Sequence, residues 1–183
     1  MDNGANNYRR FLDGNDEVLV DLIEPYKDGL ILYLTKFTND VFLAEDLMED
    51  TFVRLAIKKP YYSGRSSFKT FLFAIARNIA VDYLRKESRI KKSPLDEAHL
   101  SLAEASLEQE YIQEEKRMAI HKALSRLNPT YAQVLFLIYF EGFSNNEAAK
   151  VMHKSKRQIE QLIYRAKASL RTELEKDGVE YEE

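Results

Sequence analysis

With 183 residues, 45% of them hydrophobic, the chain is long enough for one domain or for two small ones with real cores. It contains no Cys, which excludes a disulfide framework and thiolate metal sites. Its net charge of −3 hides a sorted distribution: residues 13–59 sum to −6, 60–92 to +6, 93–115 to −7, 116–172 to +8 and 173–183 to −5. Two basic blocks parted by an acidic one point to two surfaces facing nucleic acid, although charge blocks also arise on helices that are merely solvated. The N-terminus has no apolar h-region, and the longest apolar run, Val134 to Phe140, is far too short to span a bilayer. A soluble cytoplasmic protein without membrane insertion is the expectation.

In chain order, Val18, Leu19, Leu22, Ile23, Tyr26, Leu30, Leu34 and Phe37 recur at helical spacing, with a kink or break expected near Pro25. Thr38-Asn39-Asp40 is a turn with capping potential. A helix from about Val41 to Lys58 follows, ended by Pro60. Its acidic cluster, Glu45, Asp46, Glu49 and Asp50, has three readings: a favourable charge near the helix start, a surface for a basic partner, or a divalent-ion site. The metal reading ranks last, because no histidine or second carboxylate motif lies nearby.

Pro60 to Ser67 reads as a loop holding Tyr61, Tyr62 and Arg65. The helix after it, Phe68 to about Lys86, buries Phe68, Phe71, Leu72, Ile75, Ile79 and Tyr83. Its other side carries Lys69, Phe73 and Arg77. A ring between two cations suits single-stranded nucleic acid, where bases stack and cations hold the backbone. The alternative is that Phe73 packs on a neighbouring helix. Residues 93–115 have no Lys or Arg and few apolar positions, which reads as an acidic linker.

From about Tyr111 a helix leads through Met118, Ile120, Ala123, Leu124 and Leu127. Asn128-Pro129 seeds the next helix, and Glu141-Gly142 ends it. Ser144 with Glu147 and Ser155 with Gln158 each have capping-box spacing, and only His153-Lys154 parts the helices they start. Two capped helices joined so tightly are a helix-turn-helix, whose second helix enters a DNA major groove. On that helix Ile159, Leu162, Ile163, Ala166 and Leu170 form the buried stripe. Arg157 and Gln161 are the base-reading candidates, since Arg reads guanine and Gln reads adenine bidentately. Lys156, Arg165 and Lys167 suit phosphates. No catalytic constellation, Gly-rich phosphate loop or metal-ligand pair appears, so no enzyme and no cofactor are expected.

Together these elements predict an all-α chain of two small helical domains joined by a linker, the second containing the helix-turn-helix. The order of motifs resembles bacterial sigma-70 family sigma factors of the extracytoplasmic-function class. AEDLMEDTFVRL (Ala44–Leu55) is similar to that class's AEDLVQEVFLRL, and FKTFLFAIARNIAVDYLRK (Phe68–Lys86) to its FRAWLYRIARNLALDYLRR. Ala123 to Met152 resembles ALxxLPxxxRxVxxLxxxEGxSxxEIAxxL, and Ile159 to Leu170 the helix ending in xYRAKxxL.

The resemblance implies a sigma region 2-like domain over 10–87, an acidic linker over 88–115, a region 4-like domain over 116–175 and an acidic tail over 176–183. It implies that Asp46, Glu49, Asp50, Phe52 and Arg54 dock on core RNA polymerase. Tyr61, Tyr62, Arg65, Lys69, Phe73, Arg77, Asn78, Arg85 and Lys86 would melt and read the minus-ten element, with Asn78 and the 61–67 loop holding a flipped base. Ser155, Lys156, Arg157, Gln158, Gln161 and Arg165 would read the minus-thirty-five element. Promoter DNA and an anti-sigma factor, membrane-bound or cytoplasmic, complete the implied partners. The sequence departs from the class pattern at Glu49, Ala74, His153, Glu160 and Leu162, where Gln, a basic residue, Gly and two basic residues are usual.

Overall fold

The computed structural model describes residues 2–90 and 119–177. Among these residues all regular structure is helical. The first unit holds α1 (Asn3–Leu12), a 3-10 turn (Asp16–Val18), α2 (Leu19–Ile23), α3 (Lys27–Thr38), α4 (Val41–Lys58) and α5 (Phe68–Ile90). The second holds α6 (119–126), α7 (Pro129–Leu135), α8 (Asn145–Met152) and α9 (Lys156–Lys176). The linker reading falls mostly on residues outside the described ones; α5 runs on past Lys86 to Ile90, over the linker's first residues.

The expected amphipathic stretch from residue 16 forms, but the break at Pro25 is complete. It parts α2 from α3, because proline at 25 cannot continue the ladder, and a 3-10 turn leads into α2. Asn39, at φ +52°, ends α3 in the left-handed region, and Asp40 starts α4 by accepting from Phe42 N (2.9 Å) and Leu43 N (3.3 Å). Leu30, Leu34, Leu55 and Leu72 are fully buried among these helices.

Helix α1 is absent from the sequence reading. Its Asp2 carboxylate accepts from Ala5 N (3.1 Å) through Oδ1 and from Phe68 N (2.7 Å) through Oδ2, so one side chain caps α1 and α5 together. Tyr8 is wholly buried, and its hydroxyl donates to Pro60 O (2.8 Å). Burial pushes that phenol up to about 12. A Cβ on residue 4 would run into the Tyr26 hydroxyl and the Phe68 ring, so Gly4 lets α1 approach. The first unit therefore takes in residues from Asn3 onward.

In the second unit Asn128 caps Thr130 N (2.9 Å), with Pro129 at the first helical position. Helix α7 runs on as one π-turn, Phe136–Phe140, before Gly142 at φ +69° ends it. Both capping boxes form as expected. Arg126 on α6 holds Asp177 at the end of α9 through both carboxylate oxygens (3.1 and 3.0 Å).

Candidate nucleic-acid interface

Helix α9 separates its two sides as its pattern requires. Ile159 and Ala166 are fully buried, while Lys156, Arg157, Gln158, Gln161 and Arg165 are exposed, with Tyr164 (78% exposed) beside them. Ser155 and Gln158 are already committed: Ser155 Oγ accepts from Gln158 N (3.2 Å) and Gln158 Oε1 from Ser155 N (2.8 Å). That occupies the carbonyl oxygen Gln158 would need for a bidentate contact, and both residues serve to start the helix. Lys156 also pairs with Glu160 (3.8 Å). Arg157, Gln161 and Arg165 remain as the outward polar set.

The first basic surface is built differently. Tyr61 is 88% exposed, whereas Tyr62 is half-buried against Tyr8, Phe68 and Phe71 and donates to Ser66 O (2.5 Å). Tyr62 thus braces the 61–67 loop, with only Tyr61 presenting an open ring. A cleft lined by Asn6, Arg9, Tyr62, Gly64, Ser66 and Ser67 lies between this loop and α1. Asn78 is not among its lining residues. It stands eleven residues along α5 from Ser67, roughly 16 Å at the helical rise, so the loop and Asn78 do not form one pocket. Arg85 and Lys86 are exposed, Arg85 lying 3.7 Å from Asp82.

Phe73 corrects the expectation of an aromatic on an open face. It is fully buried, 5.4 Å from Tyr33 and 5.2 Å from Phe143, because α8 and the turn before it cover this side of α5. Other candidates on that side are engaged by the second unit as well. Lys69 Nζ meets Glu141 Oε2 (2.7 Å) and donates to Glu141 O (2.8 Å). His153 Nε2 lies 2.9 Å from Asn78 Oδ1, a hydrogen bond that needs the imidazole proton on Nε2. Lys150 Nζ donates to Arg65 O (2.8 Å). Ser67 and Thr70 hydroxyls donate to Glu147 Oε1 (3.2 and 3.3 Å), while its Oε2 completes the capping box of α8. Burial alone would raise the Glu147 pKa; the Ser144 amide and hydroxyl, with Ser67 and Thr70, outweigh it and hold the carboxyl below its ordinary value.

The same seam has costs. The Tyr33 hydroxyl and Arg77 Nε are buried without a hydrogen-bond partner, each a penalty of about 1–3 kcal/mol. Burial raises the Tyr33 phenol, with Arg77 opposing. Lys36 sits 5.5 Å from the Phe136 ring, and burial lowers the pKa of its ammonium from the ordinary lysine value. Ring pairs across the seam return about 0.5–1.5 kcal/mol each, of the same order.

On α4, Asp46, Glu49, Asp50 and Arg54 are exposed, as a partner surface requires. Phe52 is only 5% exposed and belongs to the core, because it lies on the helix's apolar stripe with Leu55. Phe42, Val53 and Ile57, missed by the sequence reading, are 76%, 51% and 72% exposed on this helix. Their signal was that they fall outside the buried stripe. Among the described residues no group of three or more His, Cys, Asp or Glu is placed to hold a metal ion.

Comparison with known families identifies the chain. The Sigma-70 region 2 model matches residues 22–90, and the Sigma-70 region 4 model matches residues 117–170. The chain belongs to the sigma-70 family, in its extracytoplasmic-function class. It is 28% identical over 151 residues to the ECF RNA polymerase sigma factor SigM of Bacillus subtilis, covering 82% of this chain and 91% of that one. It is 27% identical over 165 residues to SigX of the same organism, covering 87% and 85%. Among solved structures, CnrH in complex with the cytosolic domain of CnrY aligns with a TM-score of 0.65 at 23% identity, over 95% of this chain and 96% of that one. The sigma factor RpoE of Bartonella quintana, solved with the anti-sigma factor NepR, aligns at 0.68 and 23%, over 84% and 94%. As a sigma factor, the protein directs promoter-specific transcription initiation by RNA polymerase.

The departures of this sigma factor from its class pattern gain a physical reading. His153 ends α8 at φ +52°, the left-handed conformation that explains the usual glycine there. A histidine accepts that strain and supplies the ring that reaches Asn78. Glu160 takes Lys156 as its partner, and Leu162 is partly buried against the core. Among the described residues no helix is long and apolar enough to cross a membrane.

Proposed function

We propose that this sigma factor divides its work among three helices and acts by binding alone, in the cytoplasm and without a cofactor. The acidic face of α4, Asp46, Glu49 and Asp50 with Arg54, docks on core RNA polymerase. The exposed Phe42, Val53 and Ile57 add the apolar contact that a stable protein interface uses. Tyr61, Arg65, Lys69, Arg77, Asn78, Arg85 and Lys86 melt and read the minus-ten element, and the α1–loop cleft receives an extruded base. Flipping costs a few kcal/mol, which stacking and polar contacts offset. Helix α9 reads the minus-thirty-five element through Arg157 and Gln161, with Lys156 and Arg165 on phosphates.

The observation that carries this reading is the doubly sided α9: Arg157, Gln161 and Arg165 exposed, Ile159 and Ala166 buried, on a helix started by an intact capping box. The region 2-like and region 4-like domains, proposed over 10–87 (with α1 packed onto it from Asn3) and 116–175, are tethered to each other and to polymerase, which raises effective concentration without new contacts. Free protein therefore binds promoter DNA weakly. An anti-sigma factor is the expected inhibitory partner.

Run-off transcription with core polymerase on a library of promoter fragments tests this. Initiation that requires the protein, and that selects two spaced boxes, is the expected result. Polymerase binding without initiation would favour an antagonist that merely occupies polymerase. Footprinting of duplex DNA without polymerase would favour a stand-alone regulator.

A further inference from the structure

The side of α5 that carries Lys69, Phe73 and Asn78 meets α3 through Tyr33 and is otherwise covered by the second half of the same chain. Four polar contacts of different chemistry converge there: Lys69 with Glu141, Asn78 with His153, the Arg65 carbonyl with Lys150, and Ser67 and Thr70 with Glu147. Between them Phe143, 5% exposed, lies 5.2 Å from Phe73, with the Lys69 ammonium 5.1 Å from its ring. A second contact forms one helix away, where Phe136 lies 6.3 Å from Tyr33 on α3. Beside it Gly29 leaves room for the Glu141 carboxylate: a Cβ at residue 29 would stand 2.7 Å from Oε1. A glycine inside a helix costs stability relative to alanine; here its missing side chain is filled by the other unit.

These contacts answer, group by group, what a single strand would bring. Glu141 offers Lys69 a carboxylate where a phosphate would sit. Phe143 covers Phe73 with a ring where a base would stack. His153 offers Asn78 a ring N–H where a base edge would donate. We infer that the helix-turn-helix unit is an intramolecular ligand of the strand-reading face of α5, so that the free sigma factor keeps this face closed until α8 swings away. The inference rests on the minus-ten assignment of α5 made above. The closed state leaves the outward side of α9 exposed, so duplex reading and strand reading are gated differently.

The chain has no native cysteine, which allows a direct test. Dyes on Glu17→Cys and Thr172→Cys report the separation of the two units by energy transfer, and binding of a fluorescent twelve-nucleotide single strand of mixed sequence is read alongside. Two independent variants open the seam without touching the proposed DNA contacts: Glu141→Lys, which reverses the partner of Lys69, and Gly29→Leu, which fills the space Glu141 occupies. High transfer in the free wild type, its loss on adding core polymerase, low transfer in both variants and at least about fivefold tighter strand binding by them are expected. Low transfer in the free wild type, transfer unchanged in both variants, or opening without tighter strand binding would overturn the inference. Asn78→Ala, placed in the opened background, separates the two questions. If it leaves strand binding unchanged, the assignment of α5 has failed, while the transfer measurement still decides the closure.

Discussion

The two faces proposed to read bases are exposed to unequal degrees. On α9, Arg157, Gln161 and Arg165 look into solvent; on α5, Lys69 is ion-paired, Asn78 Oδ1 is hydrogen-bonded and Phe73 is sealed beneath Phe143. The difference follows the substrates. Duplex DNA offers its groove edges at all times, so a duplex-reading helix needs only to be presented. A single strand exists only after melting, and a face built of a ring and cations would otherwise collect nonspecific nucleic acid. Covering such a face costs little if the cover is linked to it and leaves when polymerase separates the two units.

The sharpest way to break this comparison is to remove the support of one face alone. Phe68 is fully buried among Tyr8, Tyr26, Tyr62 and Phe71, directly beneath the 61–67 loop. Phe68→Ala should cost about 3–5 kcal/mol, read in chemical denaturation as loss of the first unit at lower denaturant. Initiation should fail, while α6 to α9 keep their helical signal. Equal loss in both units would show that they fold as one body and would blunt the contrast.

A smaller effect comes from the contacts themselves. Asn78→Ala should lower initiation by about one to two orders of magnitude, matching the 1–3 kcal/mol of a lost base contact, and leave minus-thirty-five selection unchanged. Arg157→Ala should cost a similar amount but relax the preference at one base pair of the minus-thirty-five box. Selection of promoters from a randomised library by each holoenzyme reads both at once. If either variant altered the other's box, the two faces would not be independent readers.

Much of this architecture was legible in the sequence, and the omissions have physical causes. Helical spacing located α4, α5, α8 and α9, and the pairs Ser144–Glu147 and Ser155–Gln158 set two helix starts correctly, because capping is local chemistry. Helix α1 escaped notice although Ala5, Tyr8 and Phe11 lie on one side of it. Its cap, Asp2, also serves Phe68, sixty-six residues away, and no local pattern carries that. Helical spacing leaves Phe73 either outward or packed on a neighbouring helix, and the resemblance puts Phe52 at a docking surface; tertiary contact decides burial, and Phe143 and the α4 stripe bury both. Glu147 was recognised as a cap, but its second partners, Ser67 and Thr70, lie across the seam. The seam is legible only once both units are in place, since each of its residues already has an adequate local role.

The gentlest way to sharpen the comparison is to tune the seam through Lys36, whose ammonium is desolvated over Phe136. A lysine with a lowered pKa in the closed form binds protons less well there than in the open form. Closure should therefore strengthen as pH rises from neutrality toward the ordinary lysine value of 10.5. The useful window ends near roughly pH 9.5, because the tyrosines begin to ionise above it. Lys36→Met keeps the stem against the ring and removes the charge. It forgoes a cation–π contact worth about 0.5–1 kcal/mol but is relieved of the desolvation that lowers the pKa. The net should be a shift toward closure of no more than a few-fold, with a flat energy-transfer response between pH 7 and about 9.5. A wild type whose response over that range matched that of Lys36→Met would show that the Lys36 charge does not tune the seam there.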